Sequence, residues 1–199
     1  MWFFGRIKNK IKYEVLRRLK PEIIGYARNF QGQLTPDLRI SNLAHIGNKS
    51  NVFLGSHVYV AHFSFIEGFE RVTIGEGTAI NSYVSILTHS AHNSMRLYGM
   101  HYNDFSSSNM KGHISAEVKI GNYTFIGPNT VIMPGTVIGN GCIVAAFSFV
   151  SGQYDDYSII RGNPAKVVGD TRKIDEAFLH RYPELNDFYY AKRLPQTQS

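Results

Sequence analysis

The residues of this 199-residue chain best suited to chemistry are its histidines. His89-Ser90-Ala91-His92 lies inside a polar segment, residues 88–113, that reads THSAHNSMRLYGMHYNDFSSSNMKGH. An imidazole titrates near neutrality, so a histidine placed there can take a proton from a hydroxyl or an amine and pass it on. The same side chain on a loop can also be merely solvated, and the spacing alone does not separate the two. His57 and His62 lie five apart, which suits a pair of metal-binding imidazoles. Cys142 is the single cysteine. It excludes a Cys-rich zinc site and an internal disulfide. No Walker A loop and no dinucleotide fingerprint occurs, so nucleotide hydrolysis and redox chemistry lack support.

A repeat must position these residues. Aliphatic residues return every six positions, often followed by glycine or another small residue. An early set runs Ile40, Ile46, Leu54, Val60, Ile66, Ile74, Ile80, Ile86. A late set runs Ile114, Ile120, Ile126, Ile132, Ile138, Val144, Val150. The early set slips by two at 46–54 and again at 66–74. Four positions after the aliphatic a small or modest residue recurs, as at Thr78, Val84, Thr124, Thr136, Cys142 and Ser148. A period of six fits neither a helix nor an alternating strand. It fits one short strand plus a turn, three of which close one coil of a solenoid. The aliphatic residues face inward as ladders, and the small ones fill the corners. Cys142 occupies such a corner slot and is expected to pack rather than react. Fifteen units make about five coils, roughly 24 Å of stack. The pattern breaks once, between Ile86 and Ile114, and an interruption of that length in a regular solenoid points to function.

The flanks differ from the repeat. Residues 1–20 carry Arg6, Lys8, Lys10, Lys12, Arg17, Arg18 and Lys20 against Glu14 alone. The net charge of +6 therefore resides in this tail, and the folded remainder is balanced. That argues against a nucleic-acid surface, which needs basic residues spread over a face. Phe3, Ile7, Ile11, Val15 and Leu19 form an apolar stripe on a helix that Pro21 limits. Such a helix suits an anionic membrane surface or packs on the protein itself. Residues 171–193 read as helical, with Thr171 as cap, Ile174, Ala177, Phe178 and Leu179 on one face, and Pro183 as an interruption. The expected organisation is a basic amphipathic segment over 1–25, a solenoid over 26–170 with residues 88–113 inserted, and a helical tail over 171–199. No apolar run is long enough to span a bilayer, and no secretory signal is evident. The expected location is the cytoplasm, with peripheral membrane contact through residues 1–20.

The hexads IGNYTF, IGPNTV and IGNGCI, the interruption with THSAH and the closing GNPAKVV resemble the hexapeptide-repeat acetyltransferases. That group includes galactoside and maltose acetyltransferases and enzymes that acetylate surface polysaccharides. The resemblance covers about residues 40–170. It implies a mainly β fold, a left-handed parallel β-helix, flanked here by the short N-terminal and C-terminal helices. It also implies a homotrimer with sites between subunits, acetyl-CoA as co-substrate without a metal, and a sugar or glycan acceptor. Transfer from a thioester to a hydroxyl needs a base, donors for the oxyanion and a groove for the CoA arm. The resemblance makes His89 the base in direct transfer.

Around the base, the resemblance and the loop nominate His62, Glu67, His92, Arg96 and Tyr98 as acceptor-binding residues. His62 stands where the family often has asparagine. The family's acidic position falls near Phe69, with Glu67 or Glu70 as substitutes, and the carboxylate that orients His89 is expected but unassigned. For CoA the resemblance nominates Phe125 beside the pantetheine, Ala145, Ala146 and Ser148 along the arm, and Lys166 at the phosphates. A second basic residue expected three positions later is Gly169 here, and Arg161 or Arg172 could take its role. Two other readings compete: a metal enzyme similar to γ-class carbonic anhydrases through His57 and His62, and a non-catalytic trimeric scaffold docked by the basic tail.

Overall fold

A computed structural model describes residues 20–106 and 110–191. The amphipathic helix expected over residues 1–20 lies almost entirely outside the described residues. Within them the chain is a parallel β-helix of triangular section, left-handed as in the hexapeptide-repeat proteins, and its faces are sheets of very short strands. The first face has the order Ile23–Arg28, Leu34–Ser41, Tyr59–Val60, Ala79–Ile80, Phe125–Ile126, Ile143–Val144, Ser158–Gly162, Ala165–Asp170. The second stacks His45–Ile46, Phe65–Ile66, Ser85–Ile86, Val131–Ile132 and Phe149–Val150. The third stacks Val52–Leu54, Val72–Ile74, Val118–Ile120, Val137–Ile138 and Gln153–Tyr154.

The six-residue period becomes three ladders. On the first face Ile40, Val60, Ile80, Ile126, Val144 and Ile160 pair coil over coil. On the second, Ile46, Ile66, Ile86, Ile132 and Val150 do so. On the third, Leu54, Ile74, Ile120, Ile138 and Tyr154 do so. Nearly all are buried in one core. The small residues are buried between them, and their hydroxyls are satisfied by turn carbonyls. Thr78 Oγ1 donates to the Gly121 carbonyl at 2.7 Å, and Thr124 Oγ1 to that of Gly139 at 2.9 Å. A buried hydroxyl without such a partner costs about 1–3 kcal/mol.

Ile114 does not join a ladder. It is exposed and pairs antiparallel with Ser90, because it belongs to the return strand of the insertion. The inward residue of that coil is Ile120. All departures from period six before residue 120 fall on one edge, between the second and third faces. The step there is lengthened by two in the first and second coils, Ile46 to Leu54 and Ile66 to Ile74. In the third coil it runs from Ile86 to Ile120.

The edge between the third and first faces is regular. Asn122 Oδ1 accepts from the Glu76 amide at 2.8 Å, Asn140 Oδ1 from the Asn122 amide at 2.8 Å, and Asp156 Oδ1 from the Asn140 amide at 2.7 Å. The next residue in each coil, Gly77, Tyr123, Gly141 or Tyr157, has positive φ. Glycine and tyrosine alternate because a Cβ on Gly141 would stand 2.8 Å from the Tyr157 ring.

Antiparallel strands cover both ends of the first face. Ile23–Arg28 pairs with Leu34–Ser41, and Ala165–Asp170 with Ser158–Gly162. Residues 23–25, grouped with the N-terminal helical segment on sequence, are therefore strand: Pro21 stops a helix and the open sheet edge offers pairing. The C-terminal segment is two short helices, Thr171–Arg181 and Asn186–Ala191, separated by a 3-10 turn at Pro183–Leu185. The first is capped by Asp170, whose carboxylate accepts from the Arg172 amide at 2.9 Å. Thr171, expected as cap, is buried and donates to the Gly141 carbonyl at 2.9 Å. No helix among the described residues is long and apolar enough to cross a membrane.

Candidate active site

The lengthened edge brings the candidate base and an acid together. Glu67 follows the second-face strand of its coil, and Thr88 and His89 leave the same edge one coil later. Glu67 Oε2 accepts from the Thr88 amide at 2.7 Å, the Thr88 hydroxyl at 3.0 Å and the His89 amide at 2.9 Å. Its other oxygen, Oε1, lies 2.7 Å from His89 Nδ1 in a contact too bent for a linear hydrogen bond. The Glu67 side chain is only 14% exposed, whereas His89 remains 35% exposed. Burial alone would raise the Glu67 carboxyl. The amide and hydroxyl of Thr88 and the His89 imidazole outweigh it and hold the pKa below the usual glutamate value. Glu67 is therefore an ionised carboxylate at neutral pH, turned toward Nδ1.

The corner that carries Glu67 is braced from both sides. Gly68 has a φ of 69°, and a Cβ there would lie 2.6 Å from the Asn48 carbonyl oxygen. Asn51 Nδ2 donates to the carbonyls of Gly68 and Phe69, both at 3.1 Å. From the coil above, the Thr88 hydroxyl accepts from the Glu70 amide at 3.1 Å. Glu70 Oε1 accepts from Ser115 Oγ at 3.0 Å. Ser115 lies opposite His89 in the two-residue antiparallel stem that closes the insertion.

The His89 ring lies between two others. Phe69 stands 4.8 Å away in a tilted contact, and His113 stacks at 5.5 Å. Sequence reasoning missed both. Phe69 was judged only for an acidic role, which it cannot fill, and His113 carried one signal, its position at the end of the insertion.

The other nominated residues separate into groups. Among the acceptor candidates only Glu67 reaches His89, through a carboxylate oxygen 2.7 Å from Nδ1. His62 stands on the edge between the first and second faces, with Nδ1 2.6 Å from Ser41 Oγ. In one chain it belongs to a different corner of the prism. His92 begins the helix His92–Tyr98, and its Nδ1 is 2.7 Å from Ser90 Oγ. Arg96 donates to the His92 carbonyl and to Asn93 Oδ1. Tyr98 accepts from the Lys111 amide at 3.0 Å and packs on Phe105. Arg96 and Tyr98 thus brace the insertion itself.

Of the CoA candidates, Phe125 projects from the first face and is 45% exposed. Ala146 is exposed in a turn, whereas Ser148 is buried. Its hydroxyl donates to the Ala145 carbonyl at 2.7 Å and accepts from the Gly162 amide at 3.2 Å, so it holds the turn together. The Ala145 amide is likewise taken by the Ile160 carbonyl at 2.8 Å. Lys166 is exposed and lies directly opposite Arg161 across the antiparallel pair. Arg172 is held by Asp170, so Arg161 is the second cation beside Lys166. Cys142 is buried, and burial pushes its thiol up, which suits a packing residue. His57 contacts Asp37 at 3.2 Å, on another edge from His62. Among the described residues no three metal-ligating side chains gather.

Comparison with known proteins agrees with this architecture. A family model described as bacterial transferase hexapeptide (six repeats) matches residues 117–152. The chain is 37% identical over 121 residues to WbbJ of Escherichia coli (strain K12), named for lipopolysaccharide biosynthesis O-acetyl transfer, with 59% of each chain covered. It is 28% identical over 201 residues to Rv3034c of Mycobacterium tuberculosis, named as an acetyltransferase, with 92% of this chain and 63% of that one covered. The chain thus spans about three fifths of the length of these curated relatives. The fold also matches the hexapeptide-repeat acetyltransferase VCA0836 of Vibrio cholerae, solved with acetyl coenzyme A. That match has a TM-score of 0.59 and 22% identity, and covers 69% of each chain. The chain is a left-handed β-helix that matches the hexapeptide-transferase repeat over residues 117–152 and is similar to acetyltransferases of that fold.

Proposed function

We propose that this chain transfers an acetyl group from acetyl-CoA to a hydroxyl of a sugar or surface-glycan precursor, with His89 as general base. The observation that carries the reading is the Glu67–His89 pair: an ionised, hydrogen-bond-locked carboxylate 2.7 Å from Nδ1 of a half-exposed imidazole. The carboxylate favours the tautomer with the proton on Nδ1, which leaves Nε2 as the acceptor. Nε2 takes the acceptor's hydroxyl proton as its oxygen attacks the thioester carbonyl. The tetrahedral intermediate collapses by breaking the carbon–sulfur bond, and the imidazolium returns its proton to the departing CoA thiolate. Glu67 stabilises the imidazolium while it exists.

The likeness to the protein named for lipopolysaccharide O-acetyl transfer supports a glycan acceptor. The paired cations Arg161 and Lys166 suit CoA phosphates, because like charges opposite each other on a strand pair are unfavourable without an anion. Phe125 and the turn at Ala146 lie on the face beneath them. A trimer brings the corners of neighbouring prisms together and gives His62 a route to the base of another subunit. The test is thiol release from acetyl-CoA by wild type and His89→Ala against a panel of sugars and amino sugars. Release with one acceptor class, lost in the variant, supports the reading. No release with any acceptor, together with no CoA binding by calorimetry, overturns it.

A further inference from the structure

A cavity of about 460 Å³ lies away from His89, between the edge shared by the third and first faces and the C-terminal helices. Its walls include Tyr123, Tyr157 and Tyr189, together with Asn122, Asp175 and Phe125. The volume is that of a small-molecule site.

The lining selects among ligands. Among the described residues no lysine, arginine or histidine contributes to it. The Arg172 guanidinium, over the Tyr157 ring, is held by Asp170. Among the described residues a phosphate or carboxylate ligand would meet Asp175 and no cation, which disfavours the anionic end of CoA. A purely apolar ligand would strand Asp175 and Asn122. The two polar residues are half used: Asp175 Oδ2 accepts from the Tyr189 hydroxyl at 2.9 Å, and Asn122 Oδ1 accepts from the Glu76 amide. Among the described residues Asp175 Oδ1 and Asn122 Nδ2 have no hydrogen-bond partner, which leaves one acceptor and one donor at the same cavity. Aromatic rings beside a carboxylate and an amide suit a neutral polyhydroxylated ring, whose C–H face packs on the aromatics while its hydroxyls donate and accept.

We infer that this cavity is a binding site for a neutral sugar unit, separate from the acetyl acceptor at His89. Such a site would hold one residue of a glycan while another is presented elsewhere on the trimer, which raises the effective concentration of the acceptor. The inference concerns binding alone and stands whether or not His89 transfers acetyl groups.

The experiment is saturation-transfer NMR on the full chain with galactose, glucose and N-acetylglucosamine, followed by titration of whichever binds. Wild type and His89→Ala should bind alike. Asp175→Ala should weaken binding at least tenfold, and Tyr189→Phe, which keeps the ring, should weaken it less. Circular dichroism melts of both variants identify any loss of the helical wall. Saturating CoA meets the cavity at Phe125 alone on the proposed route, so it should weaken sugar binding less than Asp175→Ala does. Absence of binding by all three sugars overturns the inference. So does binding that Asp175→Ala leaves intact, and displacement by CoA would instead assign the cavity to the cofactor.

Discussion

Replacing Glu67 by glutamine separates the holding role of this residue from its electronic one. The amide is nearly isosteric, and its carbonyl can take the position of Oε2, accepting from the Thr88 amide, the Thr88 hydroxyl and the His89 amide. Its NH2 then occupies the position of Oε1, 2.7 Å from His89 Nδ1. A donor there drives the ring proton to Nε2, the nitrogen that should accept it. The fold should survive at a cost: three charge-assisted hydrogen bonds become neutral, each losing about 1 kcal/mol, so urea unfolding should show a loss of about 2–3 kcal/mol. The loss in kcat should be about 10²–10⁴-fold, the usual contribution of a general base. The pH dependence has a fixed sign. Because the folded-state pKa of Glu67 is depressed, its stabilisation is full above the unfolded value of about 4.3 and is lost as pH falls through the folded value. The stability gap between wild type and Glu67→Gln should therefore close on acidification. The assays are thiol release at pH 6–9 and urea melts at pH 3–7. A folded Glu67→Gln protein within threefold of wild-type kcat would refute the assignment of Glu67 as the orienting group.

Phe69→Ala or His113→Ala should lower kcat about 3–10-fold, the equivalent of one ring contact, with KM for acetyl-CoA unchanged. His113→Phe should restore most of that rate, and a full loss in His113→Phe would show that His113 acts by more than stacking. Arg161→Ala and Lys166→Ala should each raise KM for acetyl-CoA and flatten its salt dependence at constant kcat; an unchanged KM would place the phosphates elsewhere. A Cβ on Gly47 would overlap the Glu67 carbonyl oxygen, so Gly47→Ala should lower Tm by about 3–10 °C and reduce kcat with it, as scanning calorimetry and thiol release would show. Ile126→Ala removes a fully buried rung and should cost about 2–5 kcal/mol in urea without affecting KM.

The ladders were legible because the hexad period writes inward position directly into residue spacing. Ile126, Ile132 and Ile138 needed only counting. Ile114 misled the count because it stands six before Ile120 by coincidence; its partner, Ser90, lies across a stem that no period encodes. His89 was legible from its place after the last regular hexad. Glu67 was in view as an acidic substitute, but its role depends on stacking. Ile66 lies beneath Ile86, and only that register sets a carboxylate 22 residues away beneath the Thr88 and His89 amides. The strand Ile23–Arg28 was illegible because its pairing follows from the open sheet edge, and its exposed Ile23, Ile24 and Tyr26 follow no inward period. Ser148 holds the inward small-residue slot that the repeat assigns it. What spacing could not show is that its hydroxyl closes a turn between the Ala145 carbonyl and the Gly162 amide.

The insertion leaves and rejoins the solenoid through His89–Ser90 and Ile114–Ser115, while the rungs on either side continue as Ile86 to Ile132 and Ile74 to Ile120. The described residues of the segment from Ala91 to Gly112 are thus a cartridge plugged into a fixed socket. The socket holds Glu67, Phe69, Thr88, His89 and His113, and none of its contacts depends on the cartridge's length. Acceptor choice and thermal robustness can consequently drift as separate heritable traits. A grafted segment of different length, joined at Ser90 and His113 so that the His113 ring is kept, should meet the same base in the same orientation.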